Sequence, residues 1–144
     1  MRSVKRSALL PYKARDMFLL VDDVEAYPEF LPWCNSAREI SRSPEHLEAT
    51  LELQKGSLSK TFTTRNRRRE FESIDLELVD GPFNHLQGGW KFEDLGDAGC
   101  KVSLELDFEF KSRSADLMFG AFFEQVCNAL IDAFATRAAV VHGK

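Results

Sequence analysis

The alternation of apolar and polar residues predicts a strand at the start of the chain, followed by two short helices. Residues 2–10 alternate with a period of two, which is typical of a strand with one face against a core. Between residues 13 and 22 the apolar residues recur at the spacing of an amphipathic helix. Asp22 and Glu25 have the spacing of a capping box, so we expect a second short helix to begin there and to end at Pro32.

Five further segments have the pattern of strands. They cover residues 46–54, 58–67, 71–79, 85–95 and 100–111. Turn-forming residues separate several of them, and tight turns between strands imply antiparallel pairing. The alternation is cleanest in the last segment, where apolar side chains occupy the even positions from Cys100 to Phe110.

The last apolar stretch, from about Ser114 to Val141, predicts a helix roughly 40 Å long. Its apolar side chains cover a wide face, made of Leu117, Met118, Phe119, Phe122, Phe123, Val126, Leu130, Ile131 and Phe134. A sheet with one apolar face can cover such a helix only by curving around it. We therefore predict a single domain of residues 1–144 with an α+β fold, in which about six to seven antiparallel strands surround the C-terminal helix and leave an apolar tunnel.

The composition is that of an ordinary globular protein and narrows the class of function only slightly. Of 144 residues, 44% are apolar and 29% are charged, and the net charge of −4 argues against indiscriminate binding of nucleic acid. No apolar run reaches the roughly 18 residues of a transmembrane helix, and the first residues lack the apolar region of a secretory signal. The cysteines lie far apart without a paired motif, so we expect reduced thiols in the cytoplasm.

The titratable residues form no pattern that indicates catalysis or metal binding. His46, His85 and His142 are scattered, without the spacing of metal ligands. Nearly every Asp and Glu falls on the polar face of a strand or near a helix end, whereas acid–base catalysis needs such a group in an apolar pocket. Cys34 is either a reactive thiol or, as we favour, a small buried hydrophobe. We therefore expect no enzyme activity, no metal site and no required cofactor.

Two aromatic-rich stretches, residues 26–35 and 80–92, are the candidates for a ligand cavity. Pro28 and Pro32 stiffen the first stretch, which we interpret as a rigid lip of the cavity. The alternative is that its aromatic side chains only pack in the core. In the second stretch a tight turn either directs Phe83 toward the cavity mouth or simply connects two strands. The predicted cavity-lining residues are Tyr27, Phe30, Leu31, Trp33, Phe62, Phe83, Leu86, Trp90, Phe108, Phe119, Phe122, Phe123 and Val126.

A basic segment is the candidate for contact with an anionic partner. Its residues are Lys60, Arg65, Arg67, Arg68 and Arg69. One interpretation is a surface that contacts ribosomal RNA or an anionic membrane. The interpretation we favour is that the acidic residues at 72–80 lie opposite this segment in an antiparallel pair and neutralise part of its charge.

Five stretches resemble, in order and spacing, the motifs of the coenzyme Q-binding START-like family of the SRPBCC (helix-grip) superfamily. The two signature stretches are LVDDVEAYPEFLPWC at 20–34 and DGPFNHLQGGWKF at 80–92. The others are FTTR at 62–65, LDFEFKS at 106–112 and FATRAAVVHG at 134–143. His142 departs from the family pattern, in which we expect an aromatic residue such as tyrosine.

The resemblance implies a helix-grip fold whose cavity binds ubiquinone or a similar isoprenoid lipid, as a chaperone or carrier in respiratory electron transport or quinone biosynthesis. It also implies an alternative function, a toxin that binds the large ribosomal subunit and inhibits translation initiation. The expected partners are a hydrophobic small molecule, the large ribosomal subunit and, transiently, a membrane surface. The expected location is the cytoplasm, in part at the periphery of the inner membrane.

Overall fold

A seven-stranded antiparallel sheet curves around one long C-terminal helix in this computed structural model, which describes residues 1–142. In chain order the strands are β1 Arg2–Leu10, β2 Cys34–Arg42, β3 His46–Lys55, β4 Leu58–Arg69, β5 Ser73–Asp80, β6 Phe83–Asp94 and β7 Cys100–Phe110. Across the sheet the order is β1-β7-β6-β5-β4-β3-β2. The predicted α+β helix-grip architecture is confirmed. The end of the predicted domain and of the 134–143 motif lies outside the described residues.

Two short helices follow β1, as predicted. The first helix is Ala14–Asp22, and the second is a 3-10 helix, Val24–Glu29. A further 3-10 turn, Gly96–Ala98, joins β6 to β7. The first helix buries Met17 and Phe18 against the core, so the amphipathic pattern predicted its inner face correctly.

The C-terminal helical region begins with an irregular turn. It comprises a short α-helical turn Arg113–Ala115, a π-helical turn Asp116–Gly120 and the helix Ala121–His142, which we call the C-terminal helix. A π turn inserts an extra residue and so rotates the residues on either side of it relative to each other. Leu117 and Met118 are consequently 77% and 53% exposed, although the regular helical pattern placed them on the apolar face.

The sequence analysis missed one strand and made one wrong local prediction. The sequence pattern does not predict β2, because an edge strand with mostly exposed side chains shows little alternation. The capping box of Asp22 and Glu25 does not form, and the 3-10 helix has no side-chain cap. The carboxylate of Asp22 instead binds two arginines, Arg42 and Arg68. The carboxylate of Glu25 accepts the backbone N–H of Glu39 at 3.0 Å.

The core lies between the concave face of the sheet and the C-terminal helix. Along the inner side of this helix the buried side chains include Phe123, Cys127, Ile131, Phe134 and Ala138. Contrary to the expectation from apolar run lengths, the helical residues 113–142 are long and apolar enough to cross a membrane. The core helix of a globular domain also has this property, and here the sheet packs against part of the apolar surface.

An ion-pair cluster ties the first residues of the chain to the C-terminal helical region. Arg2 Nε lies 2.9 Å from Asp116 Oδ1, and Arg2 Nη1 lies 2.9 Å from Glu124 Oε1. The hydrogen bond from Arg2 holds the pKa of the Asp116 carboxyl below its ordinary value. A Cβ atom on Gly120 would come within 2.7 Å of Arg2 Nε, so the guanidinium packs directly on the helix backbone.

Candidate functional site

An apolar cavity of about 90 Å³ lies between the concave face of the sheet and the helices. Strands β3 to β7 form one wall, and the C-terminal helix and the segment around Tyr27 form the other. The lining residues are Val21, Val24, Tyr27, Trp33, Ala49, Leu51, Leu53, Phe62, Thr64, Asn66, Ile74, Leu76, Leu86, Trp90, Leu106, Phe123, Val126, Cys127, Leu130 and Phe134. None of these residues carries a charged side chain, so the lining suits a neutral, apolar molecule.

A cluster of phenylalanine rings limits the size of this cavity. The ring centroids of Phe83 and Phe108 lie 5.3 and 4.7 Å from that of Phe123. The ring centroid of Phe62 lies 5.9 Å from the same ring. The remaining volume, about 90 Å³, is below the roughly 300 Å³ at the lower end of small-molecule pockets. A ligand with a ring or an isoprenoid tail therefore fits only when some of these side chains move.

The predicted cavity-lining residues divide into two sets. Those that line the cavity are Tyr27, Trp33, Phe62, Leu86, Trp90, Phe123 and Val126. Those that lie outside the lining are Phe30, Leu31, Phe83, Phe108, Phe119 and Phe122. The second set is corrected for a physical reason. These side chains are buried or partly buried away from the void, and only the meeting of sheet and helix decides which inward side chains border it. Contact with a ligand stays a prediction for the first set.

Residues 26–35 include side chains that line the cavity and side chains that only pack against other residues, so each of the two interpretations holds for part of the stretch. The ring of Tyr27 lines the cavity, while its hydroxyl donates to a backbone carbonyl of the first helix. Burial raises the pKa of Tyr27, so the phenol stays neutral. Trp33 also lines the cavity. Phe30 instead packs beneath the guanidinium of Arg137, 4.9 Å from the ring centroid.

Two lining residues, Thr64 and Asn66, carry polar side chains that the apolar pattern does not predict. They lie on the inner face of β4 and are 9% and 7% exposed. Thr64 Oγ1 donates to Asn66 Oδ1 at 2.8 Å. The alternation within β4 could have predicted their inward position. Every second residue shares the inner face, and the residues at these positions are Phe62, Thr64, Asn66 and Arg68.

Asp22 is the centre of a buried ion-pair cluster at the end of the first helix. Arg68 Nε and Nη2 donate to its two carboxylate oxygens at 2.7 and 2.8 Å. Arg42 Nη1 donates to the same carboxylate at 2.8 Å. The side chains of Arg68 and Asp22 are only 9% and 7% exposed. The prediction that Arg68 belongs to a free basic surface is therefore wrong, because Arg68 lies on the inner face of β4 and is paired.

Of the other basic residues of the segment, three arginines share one face of β4 and Lys60 lies apart from them. Arg65, Arg67 and Arg69 are exposed on the outer face of β4, whereas Lys60 occupies an inner-face position toward the opposite end of the strand. Arg67 faces Asp75 across the antiparallel β4–β5 pair, with 3.9 Å between Arg67 Nε and Asp75 Oδ2. The favoured interpretation, in which acidic residues of the next strand oppose the basic ones, is confirmed for this pair.

The outer face of the sheet carries a polar groove of about 590 Å³. It lies at Gly88 and Gly89 of β6, where a Cβ atom on Gly88 would come within 2.0 Å of a backbone oxygen of β7. Its lining mixes basic with acidic side chains, including Arg65, Arg67, Lys91, Asp75, Glu77 and Glu105. The acidic side chains offset part of the positive charge of the arginines in this groove.

The cysteines and the other potential metal ligands form no reactive centre in the described part of the chain. Burial raises the pKa of Cys34 to about 11 and that of Cys127 to about 12. Because the thiolate is the reactive form, both behave as small buried hydrophobes, as favoured for Cys34. Within residues 1–142 no three His, Cys, Asp or Glu side chains are arranged to hold a metal ion.

Sequence comparison finds relatives over the full length of the chain. Residues 10–135 match the model of a family described as polyketide cyclase/dehydrase and lipid transport. The ribosome association toxin RatA of Vibrio cholerae is 45% identical over 144 residues, and the match covers 100% of both chains. The mitochondrial coenzyme Q-binding protein COQ10 homolog B of Xenopus laevis is 27% identical, and the match covers 96% of this chain and 58% of that one.

Solved structures share the fold. A START superfamily protein from Mycobacterium smegmatis has a TM-score of 0.78 at 21% identity, over 94% of this chain and 95% of that one. The Zhui aromatase/cyclase from Streptomyces sp. R1128 has a TM-score of 0.83 at 18% identity, over 95% and 93% of the two chains. At these identities the likeness concerns the fold alone. Together with the sequence relatives, it confirms the predicted resemblance to the START-like family.

Proposed function

The chain belongs to the polyketide cyclase/dehydrase and lipid transport family, and we propose that it acts by associating with the ribosome. The observation that carries this proposal is 45% identity, over the whole length of both chains, to a protein named as a ribosome association toxin. The relative named as a coenzyme Q-binding protein is more distant, at 27% identity. We propose further that the partner is the large ribosomal subunit and that binding inhibits translation initiation.

The outer face of β4 is the surface we propose for this contact. Arg65, Arg67 and Arg69 project from it in a row, and arginines in such a row can bind successive phosphates of RNA. The acidic residues of β5 reduce the net charge of this surface, as at the pair of Arg67 and Asp75. The affinity should therefore fall with salt, but less steeply than for a strongly cationic protein.

A sucrose-gradient profile of a bacterium that expresses the protein tests the association. The expected result is that the protein migrates with the large subunit and that fewer subunits assemble into ribosomes than in uninduced cells. Replacement of Arg65, Arg67 and Arg69 by glutamine should shift the protein toward the top of the gradient, because phosphate contacts are lost. Protein that stays at the top of the gradient, with unchanged ribosome assembly, would contradict the association.

The matched control removes the same amount of charge from strands at the β1 end of the sheet, away from β4. It replaces by glutamine three exposed lysines on β1, on β7 and just after β7: Lys5, Lys101 and Lys111. This variant should migrate like the wild type. If both triple variants shift equally, net charge controls the binding and the outer face of β4 is not the contact surface.

The apolar cavity favours a second function, binding of a hydrophobic small molecule. Its lining has no charged side chain and is dominated by Leu, Val and aromatic residues. Each methylene group of a ligand buried there contributes about 0.8 kcal/mol. We propose ubiquinone or a related isoprenoid lipid as the ligand, with a supporting role in respiration or quinone biosynthesis. The name of the Xenopus laevis relative supports this choice.

Two measurements test the binding of a hydrophobic ligand. Protein purified from a quinone-containing bacterium is extracted with organic solvent, and the extract is analysed by mass spectrometry. A short-chain ubiquinone is then added to delipidated protein, and its melting temperature should rise. Ala49→Leu, which fills the cavity, should abolish this rise, whereas Ala37→Leu, outside the lining on β2, should not. An extract without lipid together with an unchanged melting temperature would exclude this function.

We propose that neither function involves catalysis. The cavity lining contains no Asp, Glu, His, Lys or Arg side chain, and burial raises the pKa of the lining residues Tyr27 and Cys127, so neither is suited to acid–base catalysis at neutral pH. We also propose a cytoplasmic location, with transient contact to the inner membrane where an isoprenoid ligand is collected.

A further inference from the structure

The cavity contains one polar side chain whose presence the fold does not explain. Asn66 is 7% exposed on the inner face of β4. Its neighbours across the two strand pairs are Leu47 on β3 and Leu76 on β5, both apolar. Asparagine is also a poor strand former. A leucine at this position would fit the surrounding lining better, so the amide is unfavourable for the fold unless it binds something.

The hydrogen bonds of Asn66 leave its donor side free. Thr64 Oγ1 donates to Asn66 Oδ1 at 2.8 Å, and this bond occupies the acceptor oxygen of the amide. Among residues 1–142 no group accepts a hydrogen bond from Asn66 Nδ2. No fully enclosed side-chain nitrogen or oxygen lacks a partner in this part of the chain, so Nδ2 is partly accessible, and Asn66 is a lining residue of the cavity.

This arrangement selects the chemistry of a ligand. An amide NH₂ group donates hydrogen bonds and cannot accept them, so its partner must be an acceptor. The partner should be neutral, because the lining has no cation to balance an anion. Arg68 follows Asn66 on the same face of β4, but its guanidinium is bound to Asp22. A carbonyl oxygen on an apolar body meets these conditions.

We propose that Asn66, whose amide oxygen is hydrogen-bonded to Thr64, is the polar anchor of the cavity and binds the carbonyl oxygen of an otherwise apolar ligand. The proposal rests on the hydrophobic-ligand function proposed above and adds the position and chemistry of the ligand's polar end. With the oxygen at Asn66 on β4, the apolar body of the ligand extends along the lining of the C-terminal helix, past Val126 and Leu130.

A pair of matched probes tests the anchor. The probes are 2-nonanone and 2-methyl-1-nonene, which have the same shape and differ in having C=O or C=CH₂. Trp33 and Trp90 line the cavity, so the fluorescence of the protein reports binding of either probe. The measured quantity is the ratio of the two dissociation constants, compared between the wild type and Asn66→Leu. This comparison cancels the different hydration of the free probes.

In Asn66→Leu the dissociation constant of the ketone, divided by that of the alkene, should be roughly five- to tenfold higher than in the wild type. This is the change expected for the loss of one buried hydrogen bond. Thr64→Val should change this ratio in the same direction by less, because the amide remains but loses the hydrogen bond to its oxygen. Phe62→Leu, a control on the same strand face, should change both dissociation constants alike. In the wild type, the ketone but not the alkene should shift the side-chain NH₂ resonances of Asn66.

The outcomes separate the anchor from the ligand site. If neither probe binds the wild type, the hydrophobic-ligand function itself fails. If both probes bind and the ratio is unchanged in Asn66→Leu, the anchor is refuted while the apolar site stands. If Asn66→Leu does not fold, the NH₂ resonances of the wild type decide: no shift at saturating ketone means that Nδ2 binds only water.

Discussion

Replacement of Arg68 by methionine should destabilise the protein far more than the same change at its sequence neighbour Arg67. Arg68 makes two short hydrogen bonds, 2.7 and 2.8 Å, to the buried carboxylate of Asp22. Its guanidinium also donates to the Pro44 carbonyl oxygen at 2.8 Å and lies 5.6 Å from the ring centroid of Phe18. Methionine keeps an apolar stem of similar length but leaves the carboxylate without its bidentate partner.

The expected cost follows from the burial of the pair. Removal of one partner from a buried ion pair costs about 3–5 kcal/mol. Arg42 still donates to Asp22 at 2.8 Å, so we expect the lower end of that range, about 3 kcal/mol. The Arg67 side chain is 67% exposed and lies 3.9 Å from Asp75, so Arg67→Met should cost less than about 0.5 kcal/mol.

Urea denaturation, followed by circular dichroism, measures the free energy of unfolding of both variants. We expect a large loss of unfolding free energy for Arg68→Met and almost none for Arg67→Met, with the same slope of the urea transition in both variants. Equal losses, or a loss below about 1 kcal/mol for Arg68→Met, would refute the conclusion that Arg68 is a buried structural residue. Arg68 would then belong with the exposed basic residues of β4.

Three further predictions follow from other parts of the structure. At neutral pH, Cys34 and Cys127 should react with a thiol reagent only as fast as the protein opens, because burial raises their pKa to about 11 and about 12; rapid labelling of native protein would contradict this. Arg2 lowers the pKa of Asp116, so this pair stabilises the protein above the ordinary carboxyl pKa and loses its effect as the pH falls through the lowered value. Asp116→Asn should therefore flatten the loss of stability in acid, measured by urea denaturation over a pH series, and parallel curves would disprove it. Gly88→Ala should cost at least about 2 kcal/mol, because its φ is +153° and a Cβ atom would lie 2.0 Å from a backbone oxygen; an unchanged melting temperature would count against this packing.

Local periodicity was sufficient to predict the elements whose environment is regular. In β7 every second residue is buried, and the pattern from Cys100 to Phe110 alone identified the strand and its inner face. The same holds for the first helix, where Met17 and Phe18 face the core. β2 was missed because it is an edge strand with few buried side chains. Its pairing with β3 is decided by the sheet as a whole rather than by its own sequence.

The site was less predictable because its geometry depends on contacts between distant residues. The inward direction of Phe108 followed from the alternation in β7, whereas the sequence left the direction of Phe83 open. The packing of both rings against Phe123 of the C-terminal helix did not follow from sequence. The capping box at Asp22 failed because Arg68, 46 residues away in the chain, binds the same carboxylate. Asn66 was overlooked because polar residues in a strand are ordinarily assigned to the exposed face, and only the register of β4 shows that it faces inward.

Co-sedimentation of the purified protein with separated large and small ribosomal subunits tests the proposed function most directly. The protein should pellet with the large subunit at low salt, the bound fraction should fall gradually as salt is added, and little protein should pellet with the small subunit. Protein that remains in the supernatant with both subunits at the lowest salt would contradict the proposed function.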